Sequence, residues 1–172
     1  MHYVEQFCDD VTVKRNDEIA LNEVEAYDAI ILSPGPGLPS KAGIMPELIN
    51  RFAPTKKILG VCLGHQAIGE AFGAQLKNLN QVHHGVAIPI QIRDSKEPLF
   101  KNIPSEIETG RYHSWVIDKE TIPSDLQVTA IDTKGEVMAI RHKHYNVCGV
   151  QFHPESLLTP EGLKIIENWV NS

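Results

Sequence analysis

The sequence predicts an α/β fold: a mostly parallel central sheet flanked by helices, with a smaller antiparallel portion in the second half. Three observations predict it. Residues 29–32 and 58–61 are continuous apolar runs, as expected of strands buried on both faces of a parallel sheet. Each run is broken by glycine and followed by a segment with apolar residues at helical spacing. Beyond residue 74, short strand-like runs are separated only by Gly, Asn or Asp, with no long helix between them, so some are expected to pair antiparallel.

Taken in order, Tyr3, Val4 and Phe7 have helical spacing, so the chain opens on a helix end. Residues 11–15 alternate Val-Thr-Val-Lys-Arg and read as a strand, with a turn at Asn16-Asp17. The run at 29–32 gives a buried strand, which Ser33-Pro34-Gly35-Pro36-Gly37 breaks. Met45, Leu48, Ile49 and Phe52 make one face of a helix that Pro54 ends. Residues 58–61 form the next strand and 66–72 the helix after it. Further strands are predicted at 74–79, 86–92, 126–132, 137–141 and 147–152. A last helix starts with Thr159 as N-cap and Pro160 at its first position, and buries Leu163, Ile166, Trp169 and Val170. Residues 1–172 read as one domain without linker, repeat or low-complexity segment.

Composition excludes several classes of function. Net charge is −6 and no basic run occurs, so neither nucleic acid nor an acidic membrane surface is an expected partner. No apolar run reaches the ~20 residues that span a bilayer, and the N-terminus has no signal-peptide pattern. Cys8, Cys62 and Cys148 form neither a disulfide framework nor a CxxC metal pair, which fits a reducing, cytoplasmic setting. No metal or other cofactor is expected. His83-His84 and His142-x-His144 lack acidic or thiol companions at ligand spacing and read as polar loops.

Cys62 is the candidate nucleophile. It follows an apolar run, stands between Gly60 and Gly64, and lies where a strand gives way to a helix. A helix N-terminus supplies free N–H groups and favours a thiolate. Inert core packing is the other reading of a single cysteine in such a place. A thiolate nucleophile needs a base and a third group to orient that base. His153 and Glu155, after another strand end, can supply both. Cys148, inside a predicted strand, reads as core, and His65 as a packing or capping residue of the helix. Arg111-Tyr112-His113-Ser114-Trp115 has no regular period and reads as a binding loop, with aromatic core packing as the alternative. The Pro-Gly-Pro-Gly stretch is either a plain surface turn or a backbone arranged to aim an N–H at an oxyanion. It follows a buried strand, as Cys62 and His153 do, so three loops converge on the sheet edge where open α/β folds place ligands.

These residues resemble the class I, triad-type glutamine amidotransferases. The resemblance rests on Pro34-Gly35-Pro36-Gly37, Gly60-Val61-Cys62-Leu63-Gly64-His65-Gln66, Arg111-Tyr112-His113-Ser114 and Gly149-Val150-Gln151-Phe152-His153-Pro154-Glu155-Ser156, and covers nearly the whole chain. It implies that Cys62 attacks a glutamine carboxamide, that His153 is the acid and base, and that Glu155 orients it. It implies an oxyanion site at Gly35 and Leu63, and substrate contacts at Gly35, Pro36, Gly37, Gln66, Ser114 and Trp115. Trp115 stands where the family usually has Leu. The implied partner is the large, chorismate-binding subunit of a synthase that receives the ammonia. A stand-alone gamma-glutamyl hydrolase and a non-catalytic regulatory module are the other readings. The family opens with a buried strand and an Asp-Asn-x-Asp-Ser-Phe-like loop before its first helix. Met1-His2-Tyr3-Val4 resembles the second half of that helix, so the expectation is a sheet without the family's first strand, incomplete or covered by another chain.

Overall fold

The computed structural model describes residues 2–79 and 84–172. Its strands are β1 (Ala29–Leu32), β2 (Lys57–Val61), β3 (Leu76–Asn78), β4 (Val86–Ile92), β5 (Glu106–Arg111), β6 (Trp115–Ile117), β7 (Leu126–Asp132), β8 (Val137–His142) and β9 (Val147–Val150). Its helices are α1 (Met45–Phe52), α2 (Leu63–Ala71) and α3 (Gly162–Val170). Among the described residues, seven strands form one sheet in the order β1-β2-β9-β8-β7-β4-β5, and β3 pairs with β6 in a small antiparallel sheet. β1, β2 and β9 are parallel, and every pairing from β9 outward to β5 is antiparallel. The predicted mixture of a parallel first part and an antiparallel second part is therefore the observed one.

The three parallel strands carry the site, and their register explains why. Leu32 lies beside Gly60, and Val61 lies beside Val150. Their carboxyl ends are thus level, and the segments after them leave the sheet along one edge. β2 is buried on both faces: Ile58 joins α1 and α2 in one core cluster, and Leu59 joins α3 in the other. Such a strand has no polar face to offer water, which is why its sequence is a continuous apolar run. Full burial of each Ile or Leu stabilises the fold by about 1.5–3 kcal/mol.

α1 buries Met45, Leu48, Ile49 and Phe52, the stripe its spacing predicts. α2 is buried along nearly its whole length, and small residues let it lie close to the sheet. A Cβ on Gly64 would meet Leu32 O at 2.3 Å, and one on Gly60 would meet Gly64 C at 2.4 Å. α3 packs on the other face and is fastened at both ends. At its start, a Cβ on Gly162 would lie 1.8 Å from Pro154 O. At its end, Lys57 Nζ donates to Val170 O at 3.2 Å and Ser172 O at 2.8 Å, and sits 4.9 Å from the Trp169 ring centre.

Several expectations need correction. Residues 11–15 form no strand; Val13 is 65% exposed, so the alternation has no apolar surface to face. The chain opens on a single 3-10 turn, Val4–Gln6. β5 and β6 replace part of the expected loop around Arg111-Tyr112-His113-Ser114-Trp115. The predicted strands at 74–79 and 147–152 are shorter, as β3 and β9. In α3 Leu163 points outward, and Ile165 takes its place beside Ile166 and Trp169. Thr159 does not cap that helix; its hydroxyl donates to His153 O at 2.7 Å and accepts from Gly110 N at 2.9 Å. His83 lies outside the described residues.

β1 ends the sheet: among the described residues no strand pairs with its outer edge. Two cavities of about 570 and 560 Å³ lie beside it, sharing Thr12, Lys14, Tyr27, Ala29, Ile31 and Ser33 in their walls. In the antiparallel part, two ion pairs are drawn inside. Arg111 Nη1 meets Asp132 Oδ2 at 2.7 Å, and Arg141 meets both Glu97 oxygens at 2.5 and 2.6 Å.

Candidate active site

Cys62 occupies the junction of β2 and α2, with φ 52° and ψ −100°. A side chain other than glycine is strained there by about 1–3 kcal/mol, and such strain persists only where the surroundings enforce it. They do: Cys62 N donates to Val150 O at 2.8 Å, and Gly60 and Gly64 close the turn from either side. The thiol is 7% exposed. Leu63 is the first residue of α2, so its N–H has no acceptor within the helix and stays available to an anion.

The segment after β9 brings in His153. His153 N donates to Gly110 O at 3.1 Å, and the Thr159 hydroxyl holds His153 O, so the loop is fixed on both sides. His153 Nδ1 is 2.8 Å from Glu155 Oε1, which leaves Nε2 as the nitrogen for proton transfer. Burial alone would lower the His153 pKa; hydrogen bonding and charge interactions with Cys62 and with Glu155 override it and raise the value to about 9. Burial likewise works to raise the Glu155 pKa, but the bond to His153 outweighs it and the net shift is downward. Tyr112 lies edge-on to the His153 ring at 4.9 Å, with its hydroxyl 3.2 Å from Ser156 Oγ.

The loop after β1 reaches the same place. A Cβ on Gly35 would stand 3.0 Å from Leu63 Cδ2, so this backbone passes directly beside the start of α2. Gly37 has φ +84°, a conformation that favours glycine. Gln66, one turn into α2, is buried, and its Nε2 donates to Trp115 O at 2.9 Å and Gln151 Oε1 at 3.1 Å. Gln151 Nε2 in turn lies 3.7 Å from Cys62 Sγ. Ser114 O accepts from Leu79 N at 2.7 Å.

The structure therefore joins Cys62, His153 and Glu155, sets Gly35 against Leu63, and ties Gln66 to Trp115. It places Pro36 and Gly37 directly after Gly35 in the same loop, with Pro36 in the wall of the cavity that Gly35 and Leu63 also line. His65 is wholly buried against Gly149, and burial pushes its pKa down to about 3, so it is a neutral packing residue. Cys148 is buried in β9, where desolvation pushes its thiol up to about 12. Among the described residues no group of three or more His, Cys, Asp and Glu could hold a metal. Sequence reasoning gives no site role to Gln151, reads Tyr112 only as part of a binding loop, and reads Thr159 only as a helix cap. An amide directly after an all-apolar strand is the one available signal for Gln151.

The family model described as "Glutamine amidotransferase class-I" matches residues 1–172. The chain is 41% identical over 177 residues to anthranilate synthase component 2 of Pseudomonas aeruginosa, covering 99% of this chain and 87% of that one. It is 39% identical over 174 residues to aminodeoxychorismate/anthranilate synthase component 2 of Bacillus subtilis, covering 100% and 89%. It also matches the bifunctional protein TrpGD of Thermotoga maritima at 42% identity over 170 residues, with 98% of this chain spanning only 28% of that protein. A solved Thermoplasma acidophilum protein, described as a candidate GMP synthase subunit, superposes with TM-score 0.88 at 26% identity, covering 99% of this chain and 84% of that chain.

Proposed function

Because the chain belongs to the class-I glutamine amidotransferases, we propose that it is the glutaminase subunit of anthranilate synthase, delivering ammonia to a chorismate-binding large subunit for tryptophan biosynthesis. The observation that carries the chemistry is the strained Cys62 at the start of α2 with the His153–Glu155 pair beside it. The Cys62 thiolate attacks the side-chain carbonyl carbon of glutamine, and a C–S bond forms. The resulting oxyanion is received by the N–H groups of Leu63 and Gly35. His153 gives its Nε2 proton to the nitrogen as the C–N bond breaks and ammonia leaves. A water molecule then attacks the thioester and His153 takes its proton. The C–S bond breaks, glutamate departs and the thiolate returns. Glu155 holds the Nδ1 proton throughout. Gly35, Pro36, Gly37, Gln66, Ser114 and Trp115 line the proposed glutamine site. The cycle draws on side chains and backbone amides alone and calls on no cofactor, and a cytoplasmic location completes the reading.

The second reading is para-aminobenzoate synthesis, favoured by the Bacillus subtilis relative whose description carries both activities. One assay separates the two and tests both. The chain is combined with each type of large subunit, chorismate and glutamine, and the aminated product is identified. Anthranilate from the complex supports the leading reading; 4-amino-4-deoxychorismate alone replaces it. Cys62→Ser is expected to abolish synthesis from glutamine and to spare synthesis from ammonium salts. Equal loss of both would count against a glutaminase role.

A further inference from the structure

We propose that Gln151 is a catalytic residue that donates a hydrogen bond to the Cys62 sulfur, and that Gln66 and the Trp115 carbonyl orient its amide to do so. The inference rests on the glutaminase reading above for its role in turnover, but not for its geometry. Gln151 Nε2 is 3.7 Å from Cys62 Sγ, within hydrogen-bond reach of sulfur, and Gln151 is wholly buried. An amide has an acceptor end and a donor end of nearly equal shape, so which end meets the sulfur needs a cause. The cause lies two hydrogen bonds away. Trp115 O is a backbone carbonyl and can only accept, so the end of Gln66 at 2.9 Å from it is the NH₂. That same NH₂ lies 3.1 Å from Gln151, whose facing atom must therefore be its oxygen. The Gln151 NH₂ is left pointing at Cys62.

A donor so placed favours negative charge on sulfur and has little to offer a neutral thioether-like sulfur. It thus acts at both ends of the cycle. It supports the attacking thiolate, and it stabilises the sulfur as that atom takes the electron pair when the C–S bond of the second tetrahedral intermediate breaks. Among the described residues, the other titratable groups facing this network are His153, with Glu155 behind it, and the buried His113, whose Nδ1 lies 3.1 Å from Trp115 O. His65 on α2 is buried and uncharged. Gln66 acts through Gln151 and is in this respect a positioning residue.

The test is the rate of Cys62 alkylation by iodoacetamide from pH 5 to 10, a reagent that needs no glutamine site, alongside glutamine hydrolysis. Gln151→Met, close in volume but without donor, is expected to move the alkylation profile about one pH unit upward and to slow the reaction about tenfold at neutral pH, with the high-pH plateau kept. Gln151→Glu, which turns an acceptor toward sulfur and covers the case of a poorly folding Met variant, is expected to move it further. Gln66→Met should reproduce part of the shift, and Gln66→Met combined with Gln151→Met should add nothing to Gln151→Met alone. Unmoved profiles in both Gln151 variants, or a uniform loss at every pH, overturn the proposal. Additive shifts in the double variant overturn the orienting role of Gln66. If the unaltered chain shows the alkylation profile and its shifts but no glutaminase activity with either large subunit, the functional reading fails and the thiolate donor stands.

Discussion

Glu155 touches no atom of a bound glutamine in the proposed cycle, yet it controls the proton on the residue that does. Its carboxylate is one of the two groups holding the His153 pKa at about 9, against burial that would lower it. Glu155→Gln removes that support, so His153 should lose its proton at a lower pH, and glutamine hydrolysis should fall on the order of 10–100-fold, part of the ~10²–10⁴ that acid–base catalysis supplies. A pH–rate profile checks both. The same shift has a thermodynamic side. A histidine whose folded pKa lies above its unfolded 6.5 stabilises the fold fully below pH 6.5, and the contribution is lost as pH rises through about 9. Denaturant unfolding of the natural chain and of His153→Asn should therefore differ most at pH 6 and converge above pH 9. A gap that widens with pH would sink this account of His153. At this scale the sequence was largely readable. Cys62, His153 and Glu155 each follow a strand end, and the structure brings all three to one edge. Gln151 was not readable, because its role depends on a backbone carbonyl 36 residues away in sequence, at Trp115.

At the scale of elements, the β2–α2 turn is the most constrained piece of the chain. Gly64→Ala would force a methyl group against Leu32 O, at a point where α2 lies tight on the sheet: a Cβ on Gly149, in β9 of the same sheet, would also meet His65 at 3.0 Å. Overpacking of this kind costs about 1–3 kcal/mol. The variant should lose thermal stability and also lose Cys62 alkylation, since the turn that strains the cysteine is displaced. Melting by circular dichroism together with labelling tests this; loss of stability with unaltered labelling would mean that the two are uncoupled. β2, α1 and α2 were legible because each packs a continuous apolar run or stripe that leaves its mark in the sequence. β1 carries the same kind of run but buries only Leu32, since among the described residues it stands at the sheet edge and not inside the sheet as its apolar run predicts. β5 was not legible. Glu106, Ile107, Glu108, Thr109, Gly110 and Arg111 carry almost no apolar signal, and the strand exists because β4 lies beside it and Arg111 finds Asp132 inside the sheet. Pairing with a distant strand and a buried charge are tertiary causes, invisible to local pattern. Residues 11–15 show the converse: a strand-like period that no neighbour uses.

Over the whole molecule, stability should fall toward β1. Among the described residues, β2 and β9 have partners on both sides, whereas β1 has one partner and cavities next to it. Hydrogen exchange is expected to be fastest in β1 among the three parallel strands and slowest in β2. Equal protection of β1 and β2 would show that something covers the open edge in solution, which is the alternative that the family's usual first strand raises. At the opposite end, the Arg111–Asp132 pair is fully enclosed. Asp132→Asn leaves a buried guanidinium without its counter-charge and should cost about 3–5 kcal/mol in urea unfolding, as broken buried pairs do.

The fastening of α3 has a mechanical consequence. β2 and α3, whose Leu59 and Ile165 share one core cluster, are about 16 and about 13 Å long from the rise of five extended and nine helical residues. Lys57 ties the start of β2 to the end of α3, and Pro154, in the loop after β9, lies against Gly162 at the start of α3. Because β2 is paired with β9, these contacts close a frame, and Cys62 and His153 stand at the same corner of it. A load applied at Ser172, by a tether or a short rigid fusion, is expected to pass along this frame and alter the approach of His153 to Cys62, which a change in the rate of Cys62 alkylation under load would register.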